Sequence, residues 1–190
     1  MHSFDPFPVL ETPRLLLREL VPSDVEVIRR NAADPEVLRY LGRDADDTLE
    51  SAQKRMQVVF DAIREHAGIR WGICLRGEPT IMGTVGFWRW NKPHFHAELG
   101  YEMSPKYWNK GYMTEAVRAA LQFGFEHMEL HRAEANIDPG NAGSRKVVEK
   151  LGFKQEAVLR QNWFYAGQFT DSLIYGLLKH EFAASMASSA

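Results

Sequence analysis

Residues able to do chemistry are densest between Glu98 and Ala116 of this 190-residue chain. The run Glu98-Leu-Gly-Tyr-Glu-Met103 reads as a strand, with Glu98, Gly100 and Glu102 on one face and Leu99, Tyr101 and Met103 on the other. A tight loop, Ser104-Pro-Lys-Tyr107, follows. Trp108, Asn109, Lys110, Gly111, Tyr112, Met113 and Thr114 then lead into a helix. The first turn of a helix presents unpaired amides and the positive end of its dipole, a natural cradle for phosphate. Gly111 lets a ligand approach the backbone and Lys110 adds positive charge. On spacing alone the glycine turns the chain and nothing more, because neither a Walker loop nor a G-x-G-x-x-G is present.

A second constellation opens at Asn141, after Pro139-Gly140. Asn141 has the position of a helix N-cap, and Ser144 falls in that helix's first turn. Arg145, Lys146 and Lys150 form a basic face that either meets a phosphate or is solvated. His94-Phe-His96 and His127-x-x-x-His131 have spacings seen in metal sites, but no cysteine or third ligand accompanies either, so no metal is expected. Trp88 and Trp90 are expected to share one strand face and to wall a pocket beside the Glu98 strand.

These groups need a scaffold, and the apolar pattern supplies one. Leu15 to Leu20 reads as a first strand. Helix starts follow at Pro22, where Ser23 and Glu26 have capping-box spacing, at Asp34-Pro35 and after Asp47. Ile69–Leu75, Ile81–Trp90 and His96–Met103 read as an antiparallel meander. Met113, Ala116, Val117, Ala120, Leu121, Gly124, Phe125 and Met128 recur at helical spacing. A short strand, 133–138, precedes a helix from about Ala142 to Leu151 that stops at Gly152. Phe153–Leu159 and Thr170–Leu177 close the pattern as strands. The order β-helices-βββ-α-β-α-ββ is an α+β fold, a mixed sheet flanked by helices. One domain over residues 1–182 is expected, with 183–190 as a frayed tail.

Composition narrows the partners. Twenty-three basic and twenty-five acidic residues leave a net charge of −2, so no global field draws in nucleic acid or anionic lipid. No run of eighteen apolar residues exists to span a membrane, and Met1 to Arg14 lacks the apolar run of a secretory signal. A single cysteine, Cys74, excludes an intrachain disulfide and fits a reducing, cytoplasmic setting.

Four segments together resemble the GNAT superfamily of acetyl-CoA-dependent N-acetyltransferases, in its RimJ/RimL-like branch. Leu10-Glu-Thr-Pro-Arg-Leu-Leu-Leu-Arg18 is similar to the branch's opening strand, and Glu98 to Ala116 to its cofactor motif. Asn141-Ala-Gly-Ser144 through Glu149-Lys-Leu-Gly-Phe153 resembles its second motif, and Gln168 to Leu178 its closing hairpin. The phosphate loop departs from Q/R-x-x-G-x-G/A by having Trp108 first and Met113 last. Many relatives carry a tyrosine acid seven residues after the second-motif asparagine; that position is Val148 here.

The resemblance implies acetyl-CoA as co-substrate, held by Met103, Trp108 to Thr114, Asn141 and Ser144. It implies a primary amine as acceptor, attacking directly in a ternary complex. The acceptor is a protein N-terminus, or alternatively a small molecule such as a polyamine, amino acid or antibiotic; a non-catalytic acyl-CoA-binding module is a further alternative. A monomer or homodimer is expected. The catalytic roles it implies are Glu98 as base, directly or through water, with Glu102 second. The Met103 amide is the oxyanion donor, and Ser144 is a substitute acid that otherwise only caps its helix. A bulge near Met103 would splay this strand from 133–138 and expose backbone to pantetheine. An α-amine titrates near ~7.7–8.0 and a lysine near ~10.4, whereas a thiol near ~8.5 leaves readily, so the base matters more than the acid. The acceptor pocket is expected from the segment Arg39–Arg64 and the closing hairpin.

Overall fold

The β-branched and aromatic runs at the centre of the chain fold as β3 (Ile69–Leu75), β4 (Ile81–Asn91) and β5 (His96–Met103), an antiparallel meander. In front of them lie β1 (Leu10–Glu11), β2 (Leu15–Arg18) and three helices, α1 (Val25–Ala33), α2 (Pro35–Leu38) and α3 (Leu49–Arg64). Behind them come α4 (Tyr112–His127), β6 (Arg132–Ile137), α5 (Ala142–Lys150), β7 (Lys154–Tyr165), β8 (Gln168–Leu178) and α6 (Lys179–Ala187). The computed structural model describes residues 4–187. All eight strands join one sheet in the order β1-β2-β3-β4-β5-β6-β8-β7, antiparallel except for β5 against β6.

Each face of the sheet has its own cover. The first carries Trp71, Val85, Phe87, Leu99 and Met103 and packs against α4 and α5 through Val117, Leu121, Val148 and Leu151. Burial of each such side chain contributes about 1.5–3 kcal/mol, so this face holds most of the fold's stability. The second face is covered in part by α1 and α3, where Val27, Ile28, Ala52 and Met56 meet Cys74 and Ile81. Farther along that face the strands carry the polar residues Arg70, Thr84, Glu98 and Glu102 together with an exposed Trp88.

Several details depart from the sequence pattern. Ser23 and Glu26 form no capping box: the Asp24 carboxylate instead accepts the Val21 amide at 2.8 Å and grips Arg18 at 2.8 and 2.9 Å. A buried Asp24 beside a fixed guanidinium competes better for the turn than an exposed serine. The final hairpin is longer than expected, β7 running past Leu159 and β8 starting before Thr170, because aromatic pairs such as Phe164–Phe169, 4.8 Å between centroids, extend it toward the turn. The expected tail is helical as far as Ala187; Phe182 packs on Phe125 at 5.3 Å and anchors α6, while residues 188–190 lie outside the described residues.

Two corrections bear on function. Trp88 and Trp90 do not share a face. A register shift at Arg89, whose φ is +49°, turns Trp90 into the core against Phe4 and leaves Trp88 on the second face. The expected bulge at Met103 is absent, since β4 and β5 stay in register from Glu98 to Met103. β5 and β6 part all the same, and earlier: their parallel pairing covers only His96↔Arg132, Ala97↔Ala133 and Glu98↔Glu134. Beyond this point β6 follows β8, and the sheet forks.

Candidate active site

Three structures converge on the fork. The first is the α4 N-terminus. Gly111 is its N-cap with φ +78° and Asn109 also has a positive φ, +60°, so the loop folds back and leaves the amides of Tyr112, Met113 and Thr114 at the helix mouth. A residue the sequence reading gave no role braces this loop. Arg14 bonds the Lys110 carbonyl at 3.0 Å, lies over the Tyr112 ring at 4.7 Å and pairs with Glu115 at 2.6 Å. Burial pushes the Glu115 carboxyl up, but bonds from Thr12, the Arg14 amide and the Arg14 guanidinium outweigh it and hold the group below the ordinary range. Trp108, first in the phosphate loop, ties the loop to β5 by donating its indole N–H to the Met103 carbonyl at 2.7 Å.

The second structure is the edge of β5. Ser104 donates its amide to Met82 at 2.9 Å, which makes that cross-strand pair the hydrogen-bonded kind. By alternation the pairs Gly83↔Met103 and Val85↔Tyr101 are the other kind. The amides of Met103 and Tyr101 therefore point away from β4, toward the space that β6 has left. Main-chain donors aimed into a fork suit both a pantetheine arm and a developing oxyanion. The sequence reading's choice of Met103 agrees with this direction.

Facing this edge across the fork, and joined to it through Tyr101, stands α5, the other wall of the same second structure. Asn141 caps it, its side chain accepting the Ser144 amide at 3.0 Å. Ser144 Oγ meets the Tyr101 hydroxyl at 2.6 Å, and Tyr101 also donates to the Ser144 carbonyl at 3.2 Å. The tyrosine, absent from the sequence-level site, has its pKa pushed up to about 12 by burial. Hydrogen inventory then decides what Ser144 can do. If Tyr101 donates to the carbonyl, the serine proton is spent on Tyr101; only the other rotamer frees it. Val148 is buried in the core and supplies nothing. Arg145, a candidate for the cofactor's phosphate, is turned toward the Tyr175 hydroxyl at 3.3 Å.

The third structure is the second face of β5. Glu98 stands at the last paired position before the fork with its side chain 16% exposed. Burial raises its pKa, partly offset by Arg89 at 3.1 Å, while neighbouring Glu134 adds to the rise. The Arg89 register shift that misplaced Trp90 delivers this partner. Glu102 pairs with Arg43 at 3.3 Å instead. Above this face the segment after α2 meets the closing hairpin, as expected of an acceptor wall: Trp163 donates to the Gly42 carbonyl at 3.3 Å and Tyr165 to Asp44 at 3.1 Å. Gly42 is obligatory there, with φ +56° and the Trp163 ring filling the place of a side chain.

The arrangement has two mouths. A phosphate-bearing ligand laid along the α4 mouth reaches the fork from one face, and Glu98 reaches it from the other. Residues 14–154 match the acetyltransferase (GNAT) domain family. The chain belongs to the GNAT family. It is 35% identical over 173 residues to the uncharacterized N-acetyltransferase YoaA of Bacillus subtilis, covering 91% of this chain and 98% of that one. A GNAT-family acetyltransferase from Bacillus anthracis superposes with a TM-score of 0.81 at 29% identity, over 92% of this chain and all of the other. Relatives from Escherichia coli include a ribosomal protein uS5-alanine N-acetyltransferase, 29% identical over 66% of this chain and 65% of its own, and a spermidine N(1)-acetyltransferase, 25% identical over 88% of each. This GNAT protein is thus an N-acetyltransferase with acetyl-CoA as co-substrate. Among the described residues no group of three or more His, Cys, Asp or Glu could hold a metal ion, and no helix is long and apolar enough to cross a membrane.

Proposed function

We propose that the enzyme moves the acetyl group directly from acetyl-CoA to a primary amine held on the Glu98 face, with Glu98 as the base. The observation that carries this reading is the position of Glu98 at the fork, half-enclosed and with a raised pKa. A carboxylate made more basic by burial is a better match to an ammonium proton than an ordinary one. The Met103 amide holds the oxyanion. Tyr112 to Thr114 receive the pyrophosphate, with Lys110 beside them, and Asn141 and Ser144 flank the pantetheine. Direct attack is supported by Cys74, the single thiol: it is buried beside Pro79 under α1 and α3, away from the fork, and burial raises its pKa. A reduced, buried thiol also supports a cytoplasmic setting.

A protein N-terminal α-amine is the leading acceptor class, by likeness to the RimJ/RimL-like relatives; a small-molecule amine is the second, by likeness to the spermidine enzyme. Thiol release from acetyl-CoA, measured across peptides and small amines, tests the reading. Initial-rate lines for the two substrates should intersect, as in a ternary complex. Parallel lines, the mark of an acetylated enzyme, would overturn direct attack.

A further inference from the structure

The second face of the sheet holds a positive charge that has no ion-pair partner among the described residues. Arg70 on β3 lies across the neighbouring strands and bonds only the Thr84 hydroxyl, at 2.9 Å. Among the described residues no carboxylate is within ion-pair distance of it. The acid that acts on it, Glu102, is itself paired with Arg43. Arg43 and Arg55 crowd the same region with only Glu102 and Asp46 to offset them, and the Nε atoms of both are shut away from solvent without a hydrogen-bond partner. Buried donors left unpaired are costly, so they point to a missing acceptor atom. Burial lowers the basicity of Arg70, the Glu102 charge offsets part of this, and Arg43 lowers it further, yet a guanidinium stays charged.

A second pair of donors meets on the strand floor. Gly86 and Gly100 sit opposite each other on β4 and β5, and the absence of a side chain at Gly100 lets Arg70 reach across to it. A Cβ at Gly100 would lie 3.0 Å from Arg70 Nη2 and 3.6 Å from Trp88 Nε1. Two N–H donors thus converge over Gly100, two residues along β5 from Glu98, and a side chain there would crowd Arg70. We propose that Arg70 and Trp88 receive a carboxylate carried by the acceptor a few bonds from its amine, with Arg43 and Arg55 supplying the field behind them. The acceptor is therefore an aminocarboxylate or a peptide with an acidic residue beside its N-terminus, and a second amine at this position is disfavoured by the Arg70 guanidinium. This rests on the reading that the amine binds on the Glu98 face.

Matched acceptors test it. The kcat/KM for β-alanine over β-alaninamide, and for the peptide amide Ser-Asp-Ala over Ser-Asn-Ala, separates a free aminocarboxylate from a peptide source. At least one acid should win by roughly ten- to hundredfold, the range for a hydrogen bond to a charged group. Arg70→Gln should collapse that ratio to near unity, and Arg70→Lys should restore part of it. Parity in the wild type for both pairs, or spermidine outperforming both acids, would overturn the proposal. Calorimetry with glutarate, which has no amine, reads the site without turnover: saturable binding to the CoA-loaded wild type, lost in Arg70→Gln, supports it, and no binding to the wild type counts against it. An inactive panel with intact glutarate binding would remove the acceptor reading while leaving the anion site standing.

Discussion

The α4 mouth and the Glu98 face solve different problems with different materials. The mouth presents main-chain amides, with side chains such as Arg14 and Glu115 bracing the loop, and the proposed binding mode uses those amides. The Glu98 face presents side chains, each aimed by strand register and by one irregularity at Arg89. A backbone site is tied to glycine and helix position and is hard to retune without losing it. A side-chain site is rewritten by single substitutions. The same fold can therefore keep one co-substrate while its acceptor changes.

Breaking the side-chain half should give the larger kinetic effect. Glu98→Gln is expected to lose about a hundredfold in kcat/KM near neutrality, within the usual range for a general base, with acetyl-CoA affinity retained. Its deficit should shrink at high pH, where the free amine needs no help. The raised pKa of Glu98 has a further consequence of definite sign. A carboxyl whose folded pKa exceeds its unfolded value costs nothing below the unfolded pKa and destabilises as pH rises through the folded one. Glu98→Gln should therefore melt higher than the wild type at neutral pH, and the advantage should vanish in acid. Wild-type turnover in this variant would return Glu98 to a structural ion pair with Arg89.

Breaking the backbone half should act on binding. Gly111→Val puts a β-branched residue at φ +78°, a strain on the order of 1–2 kcal/mol, with its Cβ 3.4 Å from Arg14. By blocking ligand approach to the backbone it should also lower acetyl-CoA affinity, measured by calorimetry, by about tenfold or more. Unchanged affinity would remove the cradle from the α4 mouth.

The smallest effect is expected where the two halves touch. Ser144→Ala should lower kcat by no more than a few-fold, because a thiol of pKa near ~8.5 leaves without help. Tyr101→Phe should act in the same range and chiefly on stability, since a phenol with a pKa of about 12 is a poor acid for that thiolate. A hundredfold loss in kcat for either, at unchanged melting temperature, would make the hydroxyl pair a proton relay.

What could be read from sequence follows the same division. Periodicity located α4, glycine its mouth, and the β-rich centre its meander, because each is a local preference repeated over many residues. The strand alternation that placed Glu98 and Glu102 together also held, but failed across Arg89, where one non-glycine residue at positive φ inverts the faces. The Ser23–Glu26 spacing misled because a long-range partner, Arg18, chose Asp24 instead. Tyr101 and Ser144 are 43 residues apart, and no local rule links them. Arg70 did leave a trace: a lone charge inside the otherwise apolar run Ile69-Arg-Trp-Gly-Ile-Cys-Leu75.

The fork also has a mechanical consequence. Five strands lie on one side of it and three on the other, and three residue pairs are the whole of their main-chain seam. Stiffness in a sheet comes from its ladder, and here the ladder stops partway along its length. A ligand that spans the gap and hydrogen-bonds the β5 edge would serve as extra rungs. On the proposed binding mode the two half-sheets would act as a clip whose missing rungs the co-substrate supplies.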